Sequence, residues 1–399
     1  MIERAGYLKK LRLLRDDELI KVVTGVRRAG KSTLLHMFRD ELLADGVEPA
    51  RITAINFEEE ERFDLSDWRQ LHQYLTKKLI PDKMNYIFLD EVQHVDEFER
   101  LTSSLAVKKN VDLYLTGSNA KLLSSELATL LTGRYYEINL LPFSFKEYIS
   151  AFNDQSSLGQ KLTQYMFYGS FPHALKLFRQ DADLVDGYLK GIYNTVLNKD
   201  VVARKKISDP QALGEITKFL FDNIGNFTSS NKIAMAISAA SRSISHHTVS
   251  SYVSALTDSF LFYPVNRLNV KGKKLLQTQQ KYYAVDLGLR QMLLGREALA
   301  DVGHMLENVV YLELLRRSSQ VWIGKAGNGE VDFIVQDKSG YTSYYQVAYT
   351  AREQSTLERE LAPLRWIKDH SPKYLITLDE EQPAYEGIRK INAIEFLLS

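Results

Sequence analysis

The sequence predicts an α/β fold that opens with a parallel sheet carrying helices on both faces. Three observations predict it. The phosphate-loop pattern G-x-x-x-x-G-K-[ST] runs without mismatch from Gly25 to Ser32. Three strand-length apolar runs, "ELIKVVTG", "MNYIFLDEVQ" and "VDLYLTGSN", each end in turn or polar residues. A helix-period segment, "KSTLLHMFRDELLADG", directly follows the loop.

Composition sets the frame. At 399 residues the chain holds roughly two to four domains. With 45% hydrophobic and 25% charged residues it reads as globular. It has no cysteine, which excludes disulfides, thiolate chemistry and cysteine-ligated zinc, and fits a reducing interior. No apolar run approaches the roughly 18 residues of a membrane helix. The N-terminal residues lack the apolar core of a signal peptide, so a cytoplasmic location without membrane contact is expected.

The first strand enters the loop. Gly25 and Gly30 allow the tight turn, and the backbone of Gly25, Val26, Arg27, Arg28, Ala29, Gly30, Lys31, Ser32 and Thr33 wraps phosphate oxygens. Lys31 reaches the β- and γ-phosphates of ATP, and Ser32 holds Mg2+. The following helix has Leu34, Phe38 and Leu42 on one stripe and stops at Gly46. The second run ends in Asp90, which orients the magnesium, and Glu91, placed to polarise a water. The third ends in Ser118 and Asn119, either γ-phosphate sensors or satisfied loop residues. Arg134 stands between a helix and the strand Tyr135–Leu141. It is either a finger reaching a neighbouring subunit's phosphate or a structural ion pair.

With "YIFLDEVQ", "LTGSNAKLLSSELATLLTGRYYEINLLPFSFKEY" and "YGSFPHAL" added to the loop, the chain resembles a large prokaryotic family of AAA+ ATPases. In that family the ATPase domain is joined to a C-terminal region of unknown function. The resemblance covers essentially the whole chain, through looser motifs such as "YLKGIYNTVLNKDVV", "YYAVDLGLR", "HMLENVVYLEL" and "EVDFIV". It implies a P-loop ATPase core over 1–145, a helical lid over 146–225, a winged helix over 226–300 and a restriction-endonuclease-like α/β domain over 301–399. A finger acting in trans implies an oligomer.

In the lid, Gly169 and Pro172 mark a helix–helix turn, and Arg204 is either a nucleotide sensor or part of a basic surface. Between 226 and 300 nine Lys/Arg face three acids. There "SHHTVSSYVSALTDSFLF" reads as a helix capped by Ser245, with Val249, Val253 and Leu256 inward and His246, His247, Ser250 and Ser251 outward. Neighbouring His246 and His247 are expected to diverge and not to bind metal. A hairpin follows with a basic tip, Lys271, Lys273 and Lys274. Helix plus basic wing suits DNA, branched or otherwise structured; winged helices also bind proteins.

The last region begins with an amphipathic helix, "GHMLENVVYLELLRR", with Glu307 early in it. Glu330 and Asp332 share one face of a strand, and Gly327-Asn328-Gly329 turns into that strand. By the resemblance, Glu307 and Asp332 match two groups of a nuclease metal site. Gln346 and Ala348 stand where the remaining acid and lysine belong. Lys325 and Lys338 are the lysines nearest to hand, neither on the expected strand. An active nuclease is therefore the lesser expectation, since an amide is a poor magnesium ligand. A protein-binding nucleotide switch is a further alternative.

Overall fold

The structure is a computed structural model. It describes residues 2–59, 65–120, 133–152, 154–240, 243–272, 274–295, 301–318, 320–327, 329–337 and 339–399. Two compact units emerge: Met1–Leu140 with Asp258–Phe260, and Leu141–Thr257 with Leu261–Ser399.

The first unit is built on β1 (Ile20–Thr24), β2 (Ile52–Asn56), β3 (Asn85–Asp90), β4 (Val111–Gly117) and β5 (Tyr135–Asn139). They pair in the order β2-β3-β4-β1-β5, every pair parallel. Alternate side chains feed two cores. Val22, Ile87, Leu89, Leu113 and Leu115 pack with helices Trp68–Lys78 and Phe98–Ala106. Val23, Tyr86, Phe88 and Tyr114 pack with helices Ala5–Leu13 and Lys31–Ala44. Burial on both faces explains why β1, β3 and β4 read as apolar runs rather than alternating ones. The expected stripe Leu34, Phe38, Leu42 is fully buried, and Gly46 takes a left-handed φ of 86° just past the helix end.

One polar cluster interrupts this core. The Lys21 ammonium meets Asp112 at 2.6 Å with both side chains shut off from solvent. Asp112 also accepts from the Tyr114 hydroxyl and the Asp16 N–H, both at 2.8 Å. A buried charge pair survives only when its remaining lone pairs are satisfied in this way.

The second unit begins with helices and ends in a sheet of β6 (Phe262–Asn269), β7 (Lys274–Ala284), β8 (Gln320–Ala326), β9 (Gly329–Gln336), β10 (Thr342–Val347), β11 (Lys373–Thr377), β12 (Ala384–Tyr385) and β13 (Ile388–Asn392). Their order is β12-β13-β11-β10-β9-β8-β6-β7. The hairpin β6–β7, expected as a wing, is thus hydrogen-bonded into this sheet, β6 pairing with β8 in parallel at Arg267–Asn269. Helix Val302–Arg317 departs from expectation. It is not amphipathic: Met305 through Leu314 are all buried, Glu307, Asn308 and Glu313 among them. Its polar residues read as a solvent face in sequence but each meets a partner inside. Asn308, for one, brackets both the N–H and the C=O of Ala284.

Two sequence motifs that looked unrelated form one knot. Asp286 of "VDLG" accepts from the Ser170 N–H at 2.6 Å and its hydroxyl at 2.9 Å, and caps helix Leu287–Leu294 through the Leu289 N–H. A Cβ at Gly169 would meet Asp286 Oδ1 at 2.3 Å, and one at Gly288 would meet the Tyr168 carbonyl at 2.5 Å. Pro172 opens helix Pro172–Phe178 as expected.

Candidate functional site

The phosphate loop leaves β1 between its neighbours β4 and β5. Gly25 has no alternative there: a Cβ would lie 2.2 Å from the Leu140 carbonyl oxygen. Gly30, at φ 101°, enters helix Lys31–Ala44, whose N-terminus faces the loop. The N–H groups of the first helical turn and the positive end of a 14-residue helix dipole therefore converge on one spot, the condition for phosphate binding. Val26 and Ala29 are buried; Arg28 and Thr33 are exposed. Two arginines brace the loop, one from within it and one from outside. Arg27 pairs with Glu58, and Arg4 donates to the Ala29 carbonyl at 3.2 Å.

Lys31 is almost fully buried. Its ammonium donates to the Gly25 carbonyl at 3.2 Å and lies 3.3 Å from Glu91. β4 lies between β1 and β3, so its Thr116 reaches the acids. The Thr116 hydroxyl donates to Asp90 and accepts from the Glu91 N–H at 2.8 Å. Ser32 also hydrogen-bonds Asp90. The structure thus brings together Lys31, Ser32, Asp90 and Glu91.

The adjacent acids are driven apart electrostatically. Burial pushes the Asp90 carboxyl up, and the Ser32 and Thr116 hydroxyls offset it only in part. Burial acts on Glu91 too, but the Lys31 charge, the Gln93 amide and the Arg27 charge outweigh it and hold Glu91 below the usual range. Lys31, Gln93 and Arg27 thus favour the ionised form of Glu91, the form that can accept a proton. Its backbone is left-handed at φ 53°, a conformation rare outside glycine that points to a constrained site.

Ser118 and Asn119 are buried at the end of β4; the Ser118 hydroxyl meets no partner among the described residues. Arg134 is not near Lys31. Its carbonyl accepts from Ile20, at the start of β1, so β1's five residues, about 16 Å, separate it from the loop. It lines a cavity of about 370 Å³ with Asp16, Asp17, Lys108 and Lys109. The helix expected before Arg134 lies outside the described residues.

In the second unit, helix His246–Asp258 buries Val249, Val253 and Leu256 and exposes His246, His247, Ser250 and Ser251, with Ser245 accepting from the Thr248 N–H. The two imidazoles do not diverge: their centroids are 4.1 Å apart. Adjacent helical residues lie about 100° apart, which long rotamers bridge. Lys271 and Lys274 are exposed at the β6–β7 turn, where Asn269 accepts from Lys271 and Gly272; Lys273 lies outside the described residues.

A larger cavity, about 990 Å³, opens against the sheet beside helices Val302–Arg317 and Gln354–Trp366. Lys325 is not among the described residues that line this cavity, and Lys338 and Asn328 lie outside the described residues. Lys281 of β7 places its ammonium 3.0 Å from Glu307 and 4.0 Å from Asp332, and it also pairs with Glu330. Burial disfavours the ammonium, but Glu307, Asp332 and Glu330 outweigh it and keep it charged. Asp332 is pushed well above the ordinary range by burial and by Glu307. Gln346 does not replace an acid passively: its amide donates to Glu360 at 2.9 Å and its carbonyl accepts from Asp332 N–H at 3.3 Å. Ala348 falls just past β10. Among the described residues, no group of three His, Asp or Glu is set to hold a metal ion.

Thr116, Gln93, Lys281 and Glu360 escaped the sequence reading. Thr116 could have been found from its place two residues before Ser118 on a strand neighbouring the acids. Lys281 carried no local signal, since its partners are 26, 49 and 51 residues further along the chain by subtraction of positions.

Comparison with known proteins agrees with this geometry. An AAA domain model matches residues 17–149, and a domain of unknown function (DUF8612) matches 159–300. An uncharacterized protein of Haemophilus influenzae is 38% identical over all of this chain and 99% of its own length. One of Methanocaldococcus jannaschii is 27% identical over 96% of this chain and 88% of its own. Among solved structures, a Walker-type ATPase of Pyrococcus abyssi is similar, with a TM-score of 0.53 and 14% identity, covering 74% of this chain and 96% of that one.

Proposed function

Because the chain belongs to the same family as its Haemophilus influenzae relative and carries an AAA domain, we propose that it hydrolyses ATP. We further propose that it acts as an oligomer on DNA, branched or otherwise structured, bound by its second unit. The observation that carries the hydrolytic reading is the convergence of Lys31, Ser32, Asp90 and Glu91 at the helix N-terminus. The donor set fits magnesium, because Ser32 and Asp90 offer adjacent hard oxygens; the ion would neutralise phosphate charge. The loop N–H groups and Lys31 bind and orient the phosphates. Glu91, held ionised, accepts the proton of the attacking water. Arg134, remote from its own loop, is the candidate finger for a neighbouring subunit, which is the reason to expect self-association.

The DNA reading is supported by exposed His246, His247, Lys271 and Lys274; Lys281 and Arg290, part of the basic excess between 226 and 300, are buried against acids and do not add to it. On this reading residues 146–225 are the lid, 226–300 a winged helix and 301–399 an endonuclease-like domain. The test is the ATPase rate of the full chain with no DNA, single strand, duplex and a four-way junction. Binding to none of these would reject the DNA reading and leave a protein-interaction switch.

One observation favours a second reading, an ATP-dependent nuclease: Lys281 supplies a lysine beside Glu307 and Asp332. Its signature would be magnesium-dependent cleavage lost in Asp332→Ala and Lys281→Ala.

A further inference from the structure

We propose that Arg27 is a catalytic residue supplied from within the chain: its guanidinium donates to the terminal phosphate of ATP during transfer, and Glu58 holds it in place. The proposal rests on the hydrolytic reading above.

Arg27 is the third residue of the phosphate loop, two past Gly25. Its ion-pair partner, Glu58, lies just beyond β2. In the sheet order, β4 and β3 stand between the loop strand and β2, a span of three strand spacings or about 14 Å. The pair therefore bridges the ends of β4 and β3, where Thr116, Asp90 and Glu91 stand. The backbone around Glu58 is fixed there. Phe57, just before it, donates its N–H to the Asp90 carbonyl at 3.1 Å, and the Glu58 N–H donates to the Asn56 side chain at 3.0 Å. The Arg27 charge is also felt at Glu91, where it favours the carboxylate.

This arrangement can do more than brace a loop. A guanidinium carries five N–H donors in a rigid fork, so one edge can stay on Glu58 while another meets a phosphate. The Arg27 side chain keeps 10% exposure against 3% for Lys31, so it is no more shut away from an incoming phosphate than the loop lysine. Lys31 already answers to Glu91 at 3.3 Å, and Arg134 is remote from its own loop. Charge that builds on the transferring phosphate calls for a further cation, and Arg27 is placed to supply it. In the step itself the water oxygen bonds to the terminal phosphorus, and one water proton passes to Glu91. The bridging P–O bond breaks with its electron pair left on the departing ADP. Arg27 stays protonated throughout.

The test compares the full chain as wild type, Arg27→Ala, Arg27→Lys, Glu58→Ala and Glu91→Gln. It measures steady-state ATPase, ADP affinity by titration, capture of ADP with aluminium fluoride (a mimic of the phosphate in transfer) and thermal unfolding. Arg27→Ala should lower kcat about a hundred- to a thousandfold and lose the aluminium fluoride complex, while ADP affinity stays within about threefold. Arg27→Lys keeps the charge but not the fork that serves two partners, so kcat should still fall at least about tenfold. Glu58→Ala leaves the arginine unheld and should lower kcat about three- to tenfold; wild-type kcat there overturns the role given to Glu58. A merely structural arginine would lose ADP affinity and unfolding temperature together, and lysine would replace it on Glu58 without loss of kcat. Wild-type kcat in Arg27→Ala, an intact aluminium fluoride complex, or a loss of ADP affinity matching the loss of kcat overturns the proposal. If the alanine variant does not fold, wild-type kcat in Arg27→Lys does so. An inactive Glu91→Gln beside unaffected Arg27 variants removes this inference alone. No ATPase in the wild type removes the hydrolytic reading, and this inference with it.

Discussion

The Lys31 ammonium lies 3.3 Å from Glu91, and both side chains are nearly closed to solvent. The phosphate-binding cation and the candidate base are therefore one electrostatic unit, yet their removal should have different effects. Lys31→Ala should lower both ATP affinity and turnover, the latter at least about a hundredfold, since it removes charge from the reacting phosphates. Glu91→Gln should keep affinity and lose turnover, so that ATP remains bound intact. Nucleotide recovered after rapid gel filtration separates the two.

The buried lysine of the second unit should show itself in stability. Lys281→Met leaves Glu307, Glu330 and Asp332 without their counter-ion, a change worth about 3–5 kcal/mol at neutral pH. The sign with pH follows from Asp332. Burial first and Glu307 second raise its carboxyl above its ordinary 3.8. An acid with a raised folded value contributes stability below its ordinary value and loses it as pH rises through the folded one. Removing the lysine raises the carboxyls further. The deficit in urea midpoint should therefore be widest at neutral pH and narrow as pH falls; an equal deficit at all pH values would contradict the charge account.

Two glycines give opposite expectations. A Cβ at Gly288 meets the Tyr168 carbonyl at 2.5 Å and Gly169 Cα at 2.8 Å, both backbone. Gly288→Ala should cost about 3 kcal/mol through forced backbone movement. Gly187 lies within helix Asp183–Thr195 with nothing within 4 Å of the added carbon. Gly187→Ala should gain about 0.5–1 kcal/mol. Paired denaturation curves check both.

For the proposed DNA contact, Lys271→Glu with Lys274→Glu should weaken binding to every duplex sequence alike. It should lower the slope of log affinity against log salt by about 1.8, the value for two phosphate contacts. Titrations at several salt concentrations measure this slope, and an unchanged slope would place the contact elsewhere.

The nucleotide site was legible in sequence because its chemistry is local. Gly25 to Ser32 are contiguous, and Asp90 and Glu91 sit side by side at a strand end. Strands β1, β3 and β4 were legible for the same reason, each a short and mostly apolar run, broken by a charge only at Lys21 in β1 and Asp112 in β4 among their inner positions. Thr116 was harder, because it matters only through the sheet order that sets β4 between the loop strand and β3. The second unit hides its logic at longer range. Ser170 and Asp286 bond across 116 residues of chain. Lys281 meets acids from a helix and a strand that no spacing rule connects to it. Helix Val302–Arg317 misled because its charged residues, which amphipathic reasoning sends to solvent, find partners inside.

The pairing of the β6–β7 hairpin into the larger sheet has a mechanical consequence. A pull applied at its Lys271 tip does not bend a hinge. It loads the β6–β7 ladder and the parallel β6–β8 bonds at Arg267–Asn269 along the strands, so that several bonds resist in shear at once. A tip mounted this way passes a pull along β6 into its two partners, β7 and β8, instead of ending it in a free loop.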